Sequence, residues 1–106
     1  MKKQNTIIDN GNGTSTIVID SKKYGVKEFI IDSSNVSVIN GFCWSVAKLT
    51  GNFYASTSTY KVNGKKTTLY LHAMINGTPM GYVTDHVDQN TLNNTQKNLR
   101  SVTRQQ

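Results

Sequence analysis

Residues 81 to 103 open with Gly81-Tyr82-Val83-Thr84-Asp85-His86-Val87-Asp88-Gln89-Asn90-Thr91-Leu92-Asn93-Asn94. After Thr95-Gln96-Lys97 they close with Asn98-Leu99-Arg100-Ser101-Val102-Thr103. Asp85 and His86 set a carboxylate beside an imidazole, and Asn98 follows His86 by twelve residues. An imidazole can take a proton from water near neutral pH. A carboxylate is a hard oxygen ligand, suited to a magnesium ion that offsets charge building up on a phosphate. The pair is therefore a candidate for metal-assisted hydrolysis. An isolated Asp-His step is usually no more than a polar turn, so the weight rests on the longer string.

That string resembles the HNH endonucleases of the phage homing type. Their pattern runs through a valine, an acidic residue or Asn, His, an Asn-x-Leu-Asp-Asn step, Asn-Leu-Arg and Val-x-Thr. The Asp-Asn step of that family stands here as Asn93-Asn94, and the arginine that often follows is Thr95. Asp85, His86 and Asn98 are untouched by these departures. Upstream, Tyr24-Gly25-Val26-Lys27-Glu28, Ile30-Ile31-Asp32, Phe42-Cys43-Trp44, Tyr54-Ala55, Gly64-Lys65-Lys66 and Leu71-His72 fall in the order of the small sheet that precedes the motif in such proteins. That sheet is similar to the AP2 DNA-binding module of plants, and the likeness covers nearly all the chain beyond about residue 14.

The resemblance implies a ββα-metal motif over 77–106, with Tyr82 to His86 as its first strand, Val87 to Lys97 as a loop and Leu99 to Thr103 as its second strand. It implies His86 as general base, Asp85 as metal ligand and Asn98 as the residue that orients the loop, with Mg2+ or another divalent cation as cofactor. Arg104 would begin the motif's helix, most of which is missing. The amide expected as second metal ligand falls just past Gln106, so the site is expected to be incomplete. His72 is assigned a structural or phosphate-contacting role.

The rest is read from the residues themselves. With 106 residues, the chain is long enough for one domain, or for two small units sharing a core. Asn10-Gly11-Asn12-Gly13 makes 1–13 a flexible lead-in. Ser15 to Asp20 and Lys27 to Asp32 read as strands, with Asp32-Ser33-Ser34 able to cap a short helix. Phe42 to Lys48 and Phe53 to Val62 form the clearest strand pair, turning at Leu49-Thr50-Gly51-Asn52. Asn63-Gly64 signals a two-residue hairpin returning through Lys65 to Leu71. A helical turn then starts at His72 and ends at Gly77 and Pro79. The expected fold class is α+β: a small twisted antiparallel three-stranded sheet within an AP2-like region, 14–76, followed by the HNH motif.

The net charge is +6. Residues 51 to 106 hold Lys61, Lys65, Lys66, Lys97, Arg100 and Arg104 against Asp85 and Asp88, so the excess lies in the half that carries the motif. Such a field draws in polyanions. Candidate contacts to double-stranded DNA are Tyr54, Thr57, Thr59, Lys61, Lys65, Lys66, Arg100 and Arg104, since hydroxyls and cations on a small sheet can meet phosphates and base edges. A single Cys43 excludes an intramolecular disulfide and reads as a buried, inert thiol; with two His in the chain there is no set of clustered zinc ligands. No apolar run approaches the length of a membrane span, and a cytoplasmic protein of a bacterial or phage-infected cell is expected. The alternatives are a non-catalytic DNA-binding remnant, or a phage protein that uses a nuclease-like scaffold to bind and inhibit another protein.

Overall fold

The computed structural model describes residues 5–79 and 81–103, and Arg104 lies outside them. The first sheet is β1 (Thr6–Asp9), β2 (Thr14–Ser21) and β3 (Gly25–Asp32), antiparallel in that order. A short 3-10 turn at Ser33–Asn35 leads into α1 (Val36–Ile39). The second sheet is β4 (Ser45–Leu49), β5 (Asn52–Tyr60) and β6 (Lys66–Tyr70), also antiparallel. Then come α2 (Leu71–Asn76) and the antiparallel pair β7 (Tyr82–His86) and β8 (Leu99–Thr103). The structure is thus mostly small antiparallel sheets with few helices. Among the described residues there are two three-stranded sheets, not the single one expected.

The additional sheet forms because the stretch read as a flexible lead-in carries Thr6-Ile7-Ile8, which pairs in register with Val18-Ile17-Thr16 of β2. The Asn-Gly run that suggested flexibility is the turn closing this hairpin, held by Asn10 N–H donating to the Thr14 carbonyl at 2.9 Å. β2 is therefore a central strand, and its β-branched run suits that position. Ile17 faces Phe29 across the β2–β3 ladder. Together with Ile19 and Ile31 they make a buried face.

One hydrophobic cluster joins these residues to Ile39, Trp44 and Ala55, and to Leu71, Ile75 and Leu99. Both sheets, both helices and β8 thus share a core. Trp44 is held on both sides: its indole N–H donates to the Ile39 carbonyl at 3.1 Å, and its backbone is gripped by the Asn5 side chain at 2.6 and 2.9 Å. That grip explains why the strand expected from Phe42 begins only at Ser45. The Trp44 backbone groups are satisfied by a carboxamide instead of a neighbouring strand. Cys43 is half-buried, and its carbonyl accepts from the Thr57 hydroxyl.

Turn chemistry departs from expectation at Asn63-Gly64. The Gly64 N–H returns to the Lys61 carbonyl and the Lys61 N–H reaches the Lys65 carbonyl, a longer turn in which Gly64 adopts φ 83° and Asn63 does not enter the left-handed region. Asn63 instead accepts from the Lys65 N–H at 3.0 Å. Nor does Asp32 cap the turn that follows it; its Oδ2 accepts the Gln96 N–H at 2.8 Å, 64 residues away.

That contact belongs to a larger junction. The Ile30 N–H donates to the Leu92 carbonyl at 2.8 Å, and the Asn94 N–H donates to the Ile30 carbonyl at 2.7 Å. The loop between β7 and β8 thus lies along the outer edge of β3, in a parallel bridge. Ile30 directs both main-chain groups away from β2, so Ile30→Pro should remove the donor to Leu92 while sparing the β2–β3 ladder. The expected cost is about 1–3 kcal/mol, with amide exchange accelerated at Asn94 and little changed in β2.

Candidate functional site

β7 and β8 pair with His86 opposite Leu99 and Asp85 opposite Arg100. Strand alternation then sends the two neighbours to opposite faces. His86 turns inward and is 5% exposed, whereas the Asp85 side chain is 42% exposed. Both line an open cleft of about 390 Å³ together with Tyr54, Thr84 and Gln89. Gln89 holds a left-handed φ of 63°, a strained conformation for a residue with a Cβ. Its N–H donates to the His86 carbonyl at 2.9 Å.

The imidazole of His86 is oriented by a residue that the sequence reading left without a role. His86 Nε2 lies 2.8 Å from Asn94 Oδ1, and Asn94 is 2% exposed. The Asn94 amide nitrogen donates to the Thr91 carbonyl at 3.4 Å, which turns Oδ1 toward His86. A carbonyl oxygen only accepts, so Nε2 carries a hydrogen, and in the neutral imidazole the lone pair falls to Nδ1. The signal for this position is the final Asn of the Asn-x-Leu-Asp-Asn step, which Asn94 keeps while Asn93 departs from it.

Asn98 ties the loop together. Its Oδ1 accepts from the Asp88 N–H at 3.0 Å, and its Nδ2 donates to Asp88 Oδ1 and to the Asn93 carbonyl, each at 2.8 Å. Asp88 also accepts from the Asn90 N–H and the Asn93 amide. The Asn90 N–H, then the Asn98 amide, hold the Asp88 carboxyl below its usual value of 3.8. A lowered folded pKa means that this contribution to stability is complete above 3.8 and is lost as pH falls through the folded value.

His72, at the start of α2, packs against the rings behind the cleft. Its ring lies 5.3 Å from His86, 5.1 Å from Tyr54 and 5.7 Å from Tyr70. Burial, and then the neighbouring His86, lower its pKa from 6.5 to about 4. His72 is therefore neutral at physiological pH. The unfolded chain binds this proton more readily, so folding stability declines as pH drops from 6.5 toward 4.

Asp85 Oδ2 accepts from Arg100 Nε at 2.9 Å and Nη2 at 2.8 Å. The Arg100 side chain is 60% exposed, and an ion pair this open is worth only about 0–1 kcal/mol. Either partner can therefore be drawn off by a stronger ligand. Among the described residues no three His, Cys, Asp or Glu gather into a metal-holding group. The donor set fits a divalent cation in one way, as a single carboxylate completed by waters and phosphate oxygens, which is how magnesium is commonly held.

The remaining candidate contacts separate by face. On β5, Ala55 and Thr57 point into the core, and Thr57, 8% exposed, donates to the Cys43 carbonyl. Thr57 is consequently withdrawn from any surface. Thr59 shares its side of the sheet but lies exposed beyond the core. Tyr54 points the other way, toward His72 and His86. Lys61, Lys65 and Lys66 are exposed around the β5–β6 turn. Arg100 is engaged by Asp85, and Arg104 lies outside the described residues.

Removing the cation that competes for Asp85 should favour metal binding. Arg100→Gln is expected to raise affinity for Mn2+ by up to about fivefold, read from the free-ion signal in electron paramagnetic resonance.

Residues 72–106 match the family model described as HNH endonuclease. No curated protein and no solved structure matches the chain. The matched stretch begins inside α2 and takes in β7, the loop with Asp88, Asn94 and Asn98, and β8. This C-terminal part of the chain is similar to HNH endonucleases, which supports a nuclease-type function acting on nucleic acid.

Proposed function

We propose that the protein is a metal-dependent DNA endonuclease of the HNH homing kind. The observation that carries this reading is the buried His86–Asn94 hydrogen bond, which puts the lone pair of the neutral imidazole on Nδ1, in a ring lining the same cleft as Asp85. Nδ1 takes a proton from water, the water oxygen bonds to phosphorus, and the bond from phosphorus to the sugar oxygen breaks, that oxygen leaving with the bonding pair and taking a proton from solvent water. Asp85 supplies one ligand to Mg2+ or a similar ion, which when bound offsets charge on the phosphate. Asn98 holds the loop, so that Asn94 meets His86 at a set angle. Arg100, held to Asp85 only by an exposed ion pair, would be able to pair with a phosphate instead.

The AP2-like second sheet serves as the DNA-facing surface in this reading. From Ser33 to Thr84 the sequence has no Asp or Glu, while Lys48, Lys61, Lys65 and Lys66 fall within it. The β4–β6 sheet is therefore of one sign throughout, suited to a double helix. A non-catalytic DNA-binding role is the second reading, favoured by Asp85 being the one carboxylate among the described residues that line the cleft.

His86→Ala is expected to lower magnesium-dependent nicking of plasmid DNA by at least about a hundredfold, and Asp85→Asn to remove cleavage, with duplex affinity nearly unchanged for both. Wild-type binding without nicking would favour the second reading. Neutralising Lys61, Lys65 and Lys66 together should flatten the plot of log affinity against log salt by roughly one unit for each lost phosphate contact. An unchanged slope would move the interface elsewhere.

A further inference from the structure

The face of β5 that carries Tyr54 continues through Ser56 and Ser58 to Tyr60. Across the ladder it meets Tyr70, Thr68 and Lys66 of β6. One end of this face touches His72 and His86 through the Tyr54 ring. The other end is the β5–β6 turn, where Tyr60 is 70% exposed and Val62 is 110% exposed. A tyrosine and a β-branched residue left without packing are costly to hold in water. Here they sit among Lys61, Lys65 and Lys66, at the tip of an acid-free sheet.

We infer that Tyr60 and Val62 form an apolar wedge that enters a DNA groove and pries apart a base step, while the surrounding lysines hold the phosphates on either side. This rests on the proposed DNA-cleaving function and adds how the duplex is gripped. Proteins that kink DNA use such apolar wedges flanked by cations, and the unstacking is repaid by wider contact. β5 also sets the spacing. Six residues of strand from Tyr54 to Tyr60 span about 20 Å, which corresponds to about six base pairs. The wedge therefore acts near that distance from the bond at the His86 cleft.

A wedge is recognised by its preference for DNA that is already easy to open. Fluorescence anisotropy would compare a short, fully paired duplex of mixed sequence with the same duplex carrying one central mismatch. The wild-type chain is expected to bind the mismatched duplex roughly tenfold more tightly, because a mismatch lowers the cost of unstacking the step that the wedge enters. Tyr60→Ser with Val62→Ser should abolish that preference and leave both the salt slope and the thermal midpoint unchanged, since neither a charge nor a packed group is lost. Equal binding of the two duplexes by the wild type, or a preference that survives the double substitution, would overturn the wedge while leaving the DNA-cleaving function standing. Failure to bind either duplex would remove that function and the wedge with it. Binding to phosphatidylserine vesicles that the double substitution abolishes, without binding to DNA, would assign the tip to an anionic membrane surface instead.

Discussion

The pair of hydrogen bonds between Ile30 and the loop of the C-terminal hairpin is the constraint on which the candidate site depends. A two-stranded hairpin such as β7–β8 is marginal by itself, and its connecting loop has few apolar residues to bury. By lying along β3, residues 92 to 94 borrow the rigidity of a sheet whose other face is the hydrophobic core. The same contact covers an edge that would otherwise expose unpaired main-chain groups. Asn94 is the hinge of the arrangement, because its backbone joins β3 while its side chain meets His86.

Precision at the imidazole is thus inherited from elsewhere. Asn98 and Asp88 brace the loop from within, Asp32 catches it at Gln96, and Leu99 pins the following strand into the core. A catalytic group is best supported when its neighbours' orientations are themselves fixed by packing and hydrogen bonds. His86 satisfies this condition; Asp85, opposite an exposed arginine, is left adaptable. That contrast suits the roles proposed for them, a base that must hold one tautomer and a metal ligand that must exchange partners.

The β4–β6 sheet divides its labour by strand parity. Residues such as Ala55 and Thr57 close the core, while the alternate set runs from the His86 pocket to the hairpin tip. Hydroxyl content alone could not separate Thr57 from Thr59, although one is buried and bonded to a carbonyl and the other is exposed. The Tyr54 ring likewise belongs to the wall of the pocket, packed on two imidazoles.

Much of the local structure was legible in the residues because it follows from local physics. The β-branched runs gave β2 and β3, the turn residues gave the β4–β5 reversal, and Gly77 ended α2 with its left-handed φ of 63°. The spacing of Asp85, His86 and Asn98 marked out a strand-loop-strand motif through its resemblance to a family, and the structure has strands at Tyr82–His86 and Leu99–Thr103. What the residues could not disclose required partners far apart in the chain. Thr6–Asp9 is a strand because β2 offers an edge, and Trp44 leaves the β4 ladder because Asn5 satisfies its backbone. Asp32 serves Gln96 instead of its own helix, and Asn94 reaches His86 only because Ile30 positions its backbone. Sequence by itself determined which side chains were available for chemistry, since residue type sets donors, acceptors and charge. Tertiary structure alone decided which of them meet, because a hydrogen bond between distant residues exists only after the core has brought their strands together.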